Sequence, residues 1–576
     1  IELAPQTLGA SAPHYNPVEP LEHDVGKTYA RVVGPPVVRG AAFPAVSRNN
    51  EYVTIADRVR VPRNTVVPGG RYRRYLNEFI VNLVPVVGGL SPVEVLELLN
   101  AQTRPAQKTR NEHERMWLFN LRALVQAFQK KELGPKIKAA RNISTLPTGL
   151  NLLYGTYVRA FKKAYLANQS WYVPGKTPPQ IAAAVQGLCR TTSHVLSTDF
   201  SNLDGSKSVF LRDVYRSCLL RAFSGDDQLV SLFDRMSTPR AVTHFGLDYE
   251  PGPSQLSGAS DTTDNNTTCV GFYVYSCLRN SGYNCSDAWS RLQDFSVCGD
   301  DILMAVPPGV ATSTAQDLGL SIKVAEVPVG QPLPFLGRIF VDPWTTASSV
   351  QDPLRTLRKI HTTVSDATRV TPELALQWKA TGYLVNDRQT PVLSHYCNAV
   401  LRILGVAEGS LADIPDEVIV DLPWWVQAGI LHATPGGVWP QDPTIRVWDV
   451  VAKSLGRTEG ELRDYCAKMD AARTFAEIPV LAIEEYAPSV TVVVEGDYIE
   501  AEEQPAPVVA ARRLVNTGHV NTAEASIQTA DLEGRTEDVG GGDAPAPPPP
   551  EQQGPAPAGS RNTIRRREGR RREREA

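Results

Sequence analysis

The sequence predicts an α+β fold that combines short antiparallel strands with longer amphipathic helices. Three observations lead there. The segment Phe295-Ser-Val-Cys-Gly-Asp-Asp-Ile-Leu-Met-Ala-Val306 has two apolar runs of strand length around Gly299-Asp300-Asp301, which is turn chemistry. It reads as a β-hairpin with two adjacent carboxylates at its tip. A second apolar stretch starts at His194 and runs as a strand into Asp199, with another acid at Asp204. Apolar residues recur at helical spacing between about 70 and 130 and again from 345 to about 485.

Length and composition set the bounds. A chain of 576 residues is long enough for several subdomains and a large core. Hydrophobic and charged fractions of 42% and 21% are those of an ordinary globular protein. A net charge of −3 gives no whole-chain signal for nucleic acid, so any basic surface must be local. The eight cysteines include no C-x2-C pair and no Cys/His cluster at zinc spacing. Cys269, Cys277 and Cys285 read as small buried hydrophobes in a reducing compartment. No apolar run approaches the ~18 residues that span a membrane. The chain begins at Ile1 with no signal-peptide pattern, which suggests a processed product or the later part of something longer.

Residues 1 to about 70 are rich in Pro, Gly and short Val runs, as in Tyr29-Ala-Arg-Val-Val-Gly-Pro-Pro-Val-Val-Arg39. Pro35 and Pro36 exclude a helix or a central strand there, so extended segments wrapping a larger body are expected. Ser91 and Pro92 supply a cap and a first turn for a helix over 93–99. The spacing predicts a second helix over 111–131, with Trp117, Leu118, Leu121, Leu124 and Phe128 on its core face. The run 130–144 is densely basic, with Lys130, Lys131, Lys136, Lys138 and Arg141; taken alone, such a run is usually a solvated loop.

Ser257-Gly258 opens a loop that places Thr262 and Asn266 on successive turns of a following helix. Beyond the acidic hairpin, 312–318 reads as a helix, 319–323 as a strand, and Pro334-Phe-Leu-Gly-Arg-Ile-Phe340 as a second hairpin. Helices are expected over 354–357, 374–380, 391–404 and 447–469, with Trp424, Trp425 and Trp439 packed between them. After about 490 the composition shifts. The stretch 540–559 is almost entirely Gly, Pro, Ala, Glu and Gln, which cannot bury enough apolar surface to order its backbone. The Arg cluster at 565–574 reads as an electrostatic contact for RNA or a membrane surface, or as a solubilising tail.

The acid strand, the Ser-Gly loop with its helix and the Gly-Asp-Asp hairpin follow one another in a telling order. Asp199 with Asp204, Ser257-Gly258 with Thr262 and Asn266, and Gly299-Asp300-Asp301 resemble motifs A (D-x4-D), B (SG-x3-T-x3-N) and C (GDD) of the RNA-dependent RNA polymerases of positive-strand RNA viruses. The segment after Tyr29 and the run Arg141-Asn-Ile-Ser144 are similar to nodavirus replicases, in the polymerase part of their protein A. The resemblance implies a right-hand fold of fingers, palm and thumb. It places an N-terminal extension wrapping the fingers at 1–70, fingers at 71–190, and an antiparallel-sheet palm with an inserted fingers segment at 191–344. A helical thumb follows at 345–489 and a disordered tail at 490–576.

The same resemblance implies roles. Arg141 and Lys138 (motif F) would receive the nucleotide, whose polyanionic triphosphate needs fixed cations. Lys131, Lys136 and Arg338 (motif E for the last) would contact RNA, and Thr103-Arg-Pro-Ala-Gln107 would be a template loop. Lys323 (motif D) would protonate the leaving pyrophosphate. Template and product RNA, rNTPs, an upstream capping and membrane-anchoring region, self-association, and membrane-bound replication sites in the host cytoplasm are implied by family alone.

The chemistry explains the acids. The attacking 3′ hydroxyl must lose a proton while charge gathers on the α-phosphate, and two Mg²⁺ ions (or Mn²⁺) ease both. Such ions demand oxygen ligands held on rigid strands, here Asp199, Asp300 and Asp301. Three acids this close repel one another without metal. Asp204 and Asn266 can bond each other and a ribose 2′ hydroxyl, with Ser257 nearby, which rejects the deoxy analogue. Gly258 is expected to let its loop flex. A reverse transcriptase shares the palm, and a non-catalytic RNA-binding scaffold remains the alternative of a different class.

Overall fold

The computed structural model describes residues 15–16, 28–37, 43–44, 48–102, 111–112, 124–130, 132, 139–237, 239–365, 370–406, 438–442, 446–483, 490–495 and 498–503. Its centre is a four-stranded sheet in the order Ile322–Pro328, His194–Phe200, Asp301–Met304, Ser296–Cys298. Every neighbouring pair in it is antiparallel. The strand rich in β-branched and apolar residues at 194–200 is central, so both of its edges carry ladder bonds.

Helices pack against this sheet, two directly and others through the long helix Thr262–Asn280. Thr262–Asn280 is buried along nearly its whole length, and Val209–Ala222, Cys285–Leu292 and Pro308–Asp317 join it. Gly271 lets that helix approach the fully buried Trp171; a Cβ there would sit 2.7 Å from the indole. The helix Pro178–Arg190 begins as capping chemistry dictates, with Thr177 and Gln180 in a capping box and Pro178 in the first turn.

A second four-stranded sheet runs Asn142–Thr145, Leu124–Gln129, Arg240–Thr243, Asp248–Tyr249. It overturns the later part of the helix expected over 111–131, although Asn111 and Glu112 are helical. Leu124–Gln129 is a strand whose residues alternate outward and inward, so Val125 and Ala127 are buried while Leu124 and Phe128 face solvent. The helical spacing was real, but this segment gains ladder bonds on both edges by pairing with Asn142–Thr145 and Arg240–Thr243. Residues 113–123 lie outside the described residues.

Other expectations shift as well. The helix near 93–99 spans Val95–Asn100, with Glu94 rather than Ser91 at its cap. The first 70 residues are not all extended: Arg48–Ile55 is an α-helix that continues as a π-helical turn, Ala56–Arg60. Nor does this stretch simply wrap the 71–190 region. Thr28–Arg31 pairs with Thr362–Ser365, and Val33 and Val37 belong to the hydrophobic core formed by residues 341–478. Within that second core lie Pro372–Asp387, Leu393–Ile403, Val447–Ser454 and Glu459–Ala471. The single helix expected over 447–469 is thus two, broken at Gly456 (φ 62°) and restarted by a Thr458/Glu461 capping box. Val490–Glu495 and Tyr498–Glu503 pair as a hairpin at the start of the region expected to be a tail. Trp424 and Trp425 lie outside the described residues. Among the described residues no helix is long and apolar enough to cross a membrane.

Candidate active site

The acidic hairpin forms as its sequence requires. Asp301 lies opposite Cys298, leaving Gly299-Asp300 as a two-residue loop with Gly299 at φ 63°. A glycine in the first loop position with positive φ is what a tight hairpin of matching twist needs. Thr267 Oγ1, from the buried helix beneath, accepts a hydrogen bond from the Gly299 N–H at 2.9 Å and pins the tip.

Strand register then assembles the carboxylates. Ile302 faces Thr198, so one step along the same register sets Asp301 beside Asp199. Asp199 in turn lies opposite Lys323. Lys323, Asp199 and Asp301 therefore form one row across three strands, with neighbouring strands about 4.8 Å apart. Asp300 stands at the turn next to them.

The acids act on one another. Burial pushes the Asp301 carboxyl up to about 6, and the charges of Asp300 and Asp199 add to the rise. Asp300 is raised too, chiefly because the surrounding protein displaces its hydration, then by Asp199 and Asp204, while Arg141 acts in the opposite sense. Asp300 keeps exposed surface at the tip of the turn.

Beside this row sits the second cluster. Asn266 Nδ2 donates to Asp204 Oδ1 at 2.7 Å, while Asn266 Oδ1 is buried with no partner among the described residues. Thr262 Oγ1 donates to the carbonyls of Leu256 and Ala259 at 2.9 Å, holding the loop against the helix it starts. Ser257 Oγ donates to the Asn142 carbonyl at 2.9 Å and accepts from the Ser144 N–H at 3.2 Å. Gly258 is held rather than free. Its N–H bonds the Ser144 carbonyl at 2.9 Å, and a Cβ there would lie 2.8 Å from Thr145 Cγ2. In this conformation close approach, more than flexing, is what demands glycine.

Arg141 is exposed at the edge of Asn142–Thr145, 3.6 Å from Glu132, and its charge reaches Asp300. Lys131, Lys136, Lys138 and the 103–107 loop lie outside the described residues. Arg338 corrects the sequence reading. It sits on the Arg338–Phe340 strand, but its side chain is 2% exposed and forked onto Asp387, both contacts at 2.9 Å. Trp439 stacks on the guanidinium at 4.4 Å. An arginine so enclosed has no hydrogen-bonding face left for RNA.

Sequence reasoning missed two side chains. Thr267 could have been suspected from its place one residue past Asn266. Lys207 is fully buried, donating to Asn265 Oδ1 at 2.6 Å and Gln255 Oε1 at 3.1 Å, so it ties the Asp204 loop to the helix that carries Asn266. Nothing in the sequence distinguishes it from a surface lysine.

As donors, Asp199, Asp300 and Asp301 are hard oxygens from rigid elements, the set a divalent cation such as Mg²⁺ prefers. Among the described residues no three acidic, imidazole or thiolate side chains converge closely enough to form a finished coordination shell. Burial raises both Asp300 and Asp301, and neighbouring carboxylates add to each rise, which is the electrostatic character of a site suited to positive charge.

Comparison with known proteins agrees. The family described as viral RNA-dependent RNA polymerase matches residues 95–380. The chain is similar to the RNA-directed RNA polymerase of Greasy grouper nervous necrosis virus, 34% identical over 85% of this chain and 50% of that protein. Its likeness to those of Atlantic halibut nervous necrosis virus (36% identical; 80% and 47% covered) and Flock house virus (30% identical; 74% and 44%) is comparable. The chain thus spans about half the length of these relatives. In fold it is similar to a loop-deleted RNA-dependent RNA polymerase of a human picorbirnavirus. That match has a TM-score of 0.50 at 14% identity and covers 70% of this chain and 85% of that one.

Proposed function

We propose that this chain, whose residues 95–380 belong to the viral RNA-dependent RNA polymerases, copies an RNA template by adding rNTPs to an RNA 3′ end. The observation that carries the reading is one juxtaposition. Asp300 and Asp301, both with raised carboxyls, stand with Asp199 near an Asp204–Asn266 pair that keeps an open, buried acceptor.

In this reading Asp199, Asp300 and Asp301 hold Mg²⁺ or Mn²⁺. A bound divalent cation lowers the attacking hydroxyl's pKa and offsets charge on the phosphate oxygens. The protein's own groups do the rest. Arg141, with Lys138, meets the triphosphate and steadies the departing pyrophosphate. The free Asn266 Oδ1 accepts from a ribose 2′ hydroxyl while its amide stays on Asp204, so a deoxy sugar leaves a buried acceptor unsatisfied. Ser257, Gly258 and Thr262 hold the loop that leads into the helix of Asn266. Lys323, opposite Asp199, would return a proton to the leaving group.

The antiparallel sheet and its helices act as a palm, the 71–190 region as fingers and the second core as a thumb, with the stretch from 490 onward as a tail. Lys131 and Lys136 would follow the RNA backbone. The missing half of the relatives' length would supply capping and membrane attachment at cytoplasmic replication sites, and copies of the chain would self-associate there.

The test is extension of a short primer–template RNA by the purified chain with Mg²⁺ and rNTPs, beside Asp300→Ala. Synthesis in the parent that vanishes in the variant is expected. Synthesis surviving in Asp300→Ala would overturn the active-site assignment, and a preference for dNTPs would make the enzyme a reverse transcriptase.

A further inference from the structure

Arg58 lies about 80 residues before Arg141 and more than 140 before the first acid, Asp199, and no motif includes it. In the fold it stands between them. Its Nη2 donates to the Ala139 carbonyl at 2.9 Å and its Nε to the Ala140 carbonyl at 3.3 Å, the two residues directly before Arg141. Its Nη1 donates to Asn202 Oδ1, and Asn202 Nδ2 returns a bond to the Asp57 carbonyl at 3.3 Å. Asn202 lies two residues before Asp204.

The backbone around these contacts is equally committed. Asn202 is in the left-handed region at φ 53°, a conformation asparagine tolerates and most residues do not. Gly205 is pressed against the same element; a Cβ there would fall 2.0 Å from the Arg58 carbonyl oxygen and 2.6 Å from Pro62. The element itself is the π-helical turn Ala56–Arg60, whose widened ring re-aims side chains relative to an α-helix. Thus the loop that carries Asp204 is gripped at Asn202 by a side chain and at Gly205 by a backbone, both from Arg58. The other two nitrogens of the same guanidinium hold the strand entrance that carries Arg141.

Resting on the polymerase reading, we infer that Arg58 is a positioning residue for nucleotide selection. It fixes the separation between the sugar-sensing pair, Asp204 and Asn266, and the triphosphate-binding Arg141. A nucleotide must satisfy both ends at once, so the span between them gauges whether the 2′ hydroxyl reaches its acceptor when the triphosphate is seated. Guanidinium suits the task because its rigid fork can serve two carbonyls and a side-chain amide together, which a lysine ammonium on its flexible stem cannot do in one geometry.

The test compares the full chain with Arg58→Lys and Asn202→Gly in single-nucleotide addition, using an rNTP and the matching dNTP at varied concentration. Asn202→Gly keeps the positive φ while removing the amide, so it cuts the grip without straining the loop. Both variants are expected to keep the parent's melting temperature within a few degrees and to raise KM for the rNTP. The preference for rNTP over dNTP should fall about tenfold, the scale of one charge-assisted hydrogen bond, with kcat for the rNTP little changed. An equal loss for rNTP and dNTP together with a lowered melting temperature would mean that Arg58 merely supports the fold, and would overturn the inference. So would unchanged discrimination in Asn202→Gly. Absence of RNA synthesis in the parent would instead take down the polymerase reading itself, and this inference with it.

Discussion

Arg338 and Asp387 offer the sharpest perturbation of the fold, because both are removed from water and depend on each other. Their side chains are 2% and 0% exposed, and the guanidinium donates through Nη1 and Nη2 to the two carboxylate oxygens at 2.9 Å each. Asp387 also accepts from the Gln351 N–H and Thr390 Oγ1 at 2.9 Å. Truncating one partner leaves the other charge buried with only neutral company. Arg338→Met or Asp387→Leu should therefore cost about 3–5 kcal/mol each. The double variant removes both charges and leaves the Gln351 N–H and the Thr390 hydroxyl without that acceptor, so its cost should be about 1–3 kcal/mol, below the sum of the single variants. Urea unfolding followed by intrinsic fluorescence would read the cycle, since the Trp439 indole lies over the guanidinium. Under conditions where the variants stay folded, RNA affinity should not move. A clear loss of RNA binding in Arg338→Met with an unchanged unfolding midpoint would refute the structural role and restore the arginine as an RNA contact.

Two further outcomes follow from other groups. Asn266→Ala removes both the bond to Asp204 and the open acceptor, so the rNTP-over-dNTP preference should drop by about tenfold or more in competitive incorporation; full retention would remove Asn266 from sugar selection. Glu51 is buried, and loss of hydration pushes its carboxyl up to about 7, against the opposing pull of bonds from Thr243, Phe245 and His244. Its folded value exceeds the unfolded one, so the native state holds the extra proton between roughly pH 4.5 and 7 and stability declines as pH rises through that window. The decline amounts to about 3 kcal/mol. Glu51→Gln should flatten it in denaturation at pH 5 and pH 8, and an unaltered slope would assign the titration elsewhere.

The parts of the site that could be read from sequence are those where local chemistry and function coincide. Gly299-Asp300 had to turn tightly whatever its use, and Thr262 and Asn266 fall on one helix face by spacing alone. Asp204 and Asn266 were expected to bond each other, and they do. What escaped was decided by partners distant in the chain. Leu124–Gln129 fits a helical stripe until two strands from elsewhere claim its edges. Arg338 looks like a surface cation until Asp387 and Trp439 enclose it. Lys207 and Arg58 carry no local signal, since the groups they join meet only in three dimensions. The break at Gly456 is a different kind of miss. A glycine followed by Thr458 and Glu461 was legible as a stop and a new start.

The pairing of the chain's early residues with its late ones bears on how the protein is made. The Pro36 carbonyl accepts from the Tyr465 hydroxyl, 429 residues downstream, and from the Leu481 N–H. Thr28–Arg31 waits for Thr362–Ser365, and Val33 and Val37 wait for a core completed only by Ile478. During translation those valines emerge hundreds of residues ahead of their partners. The second core must therefore close late, by a contact that spans 429 of the chain's 576 residues, while the sheet that bears the acids, built from residues 194–328, assembles without it. Nascent chains should then pass through a state with a formed acidic sheet and an open apolar flank, which is where chaperone dependence and aggregation would concentrate. Removing residues 28–37 would deprive the second core of those partners and prolong that passing state.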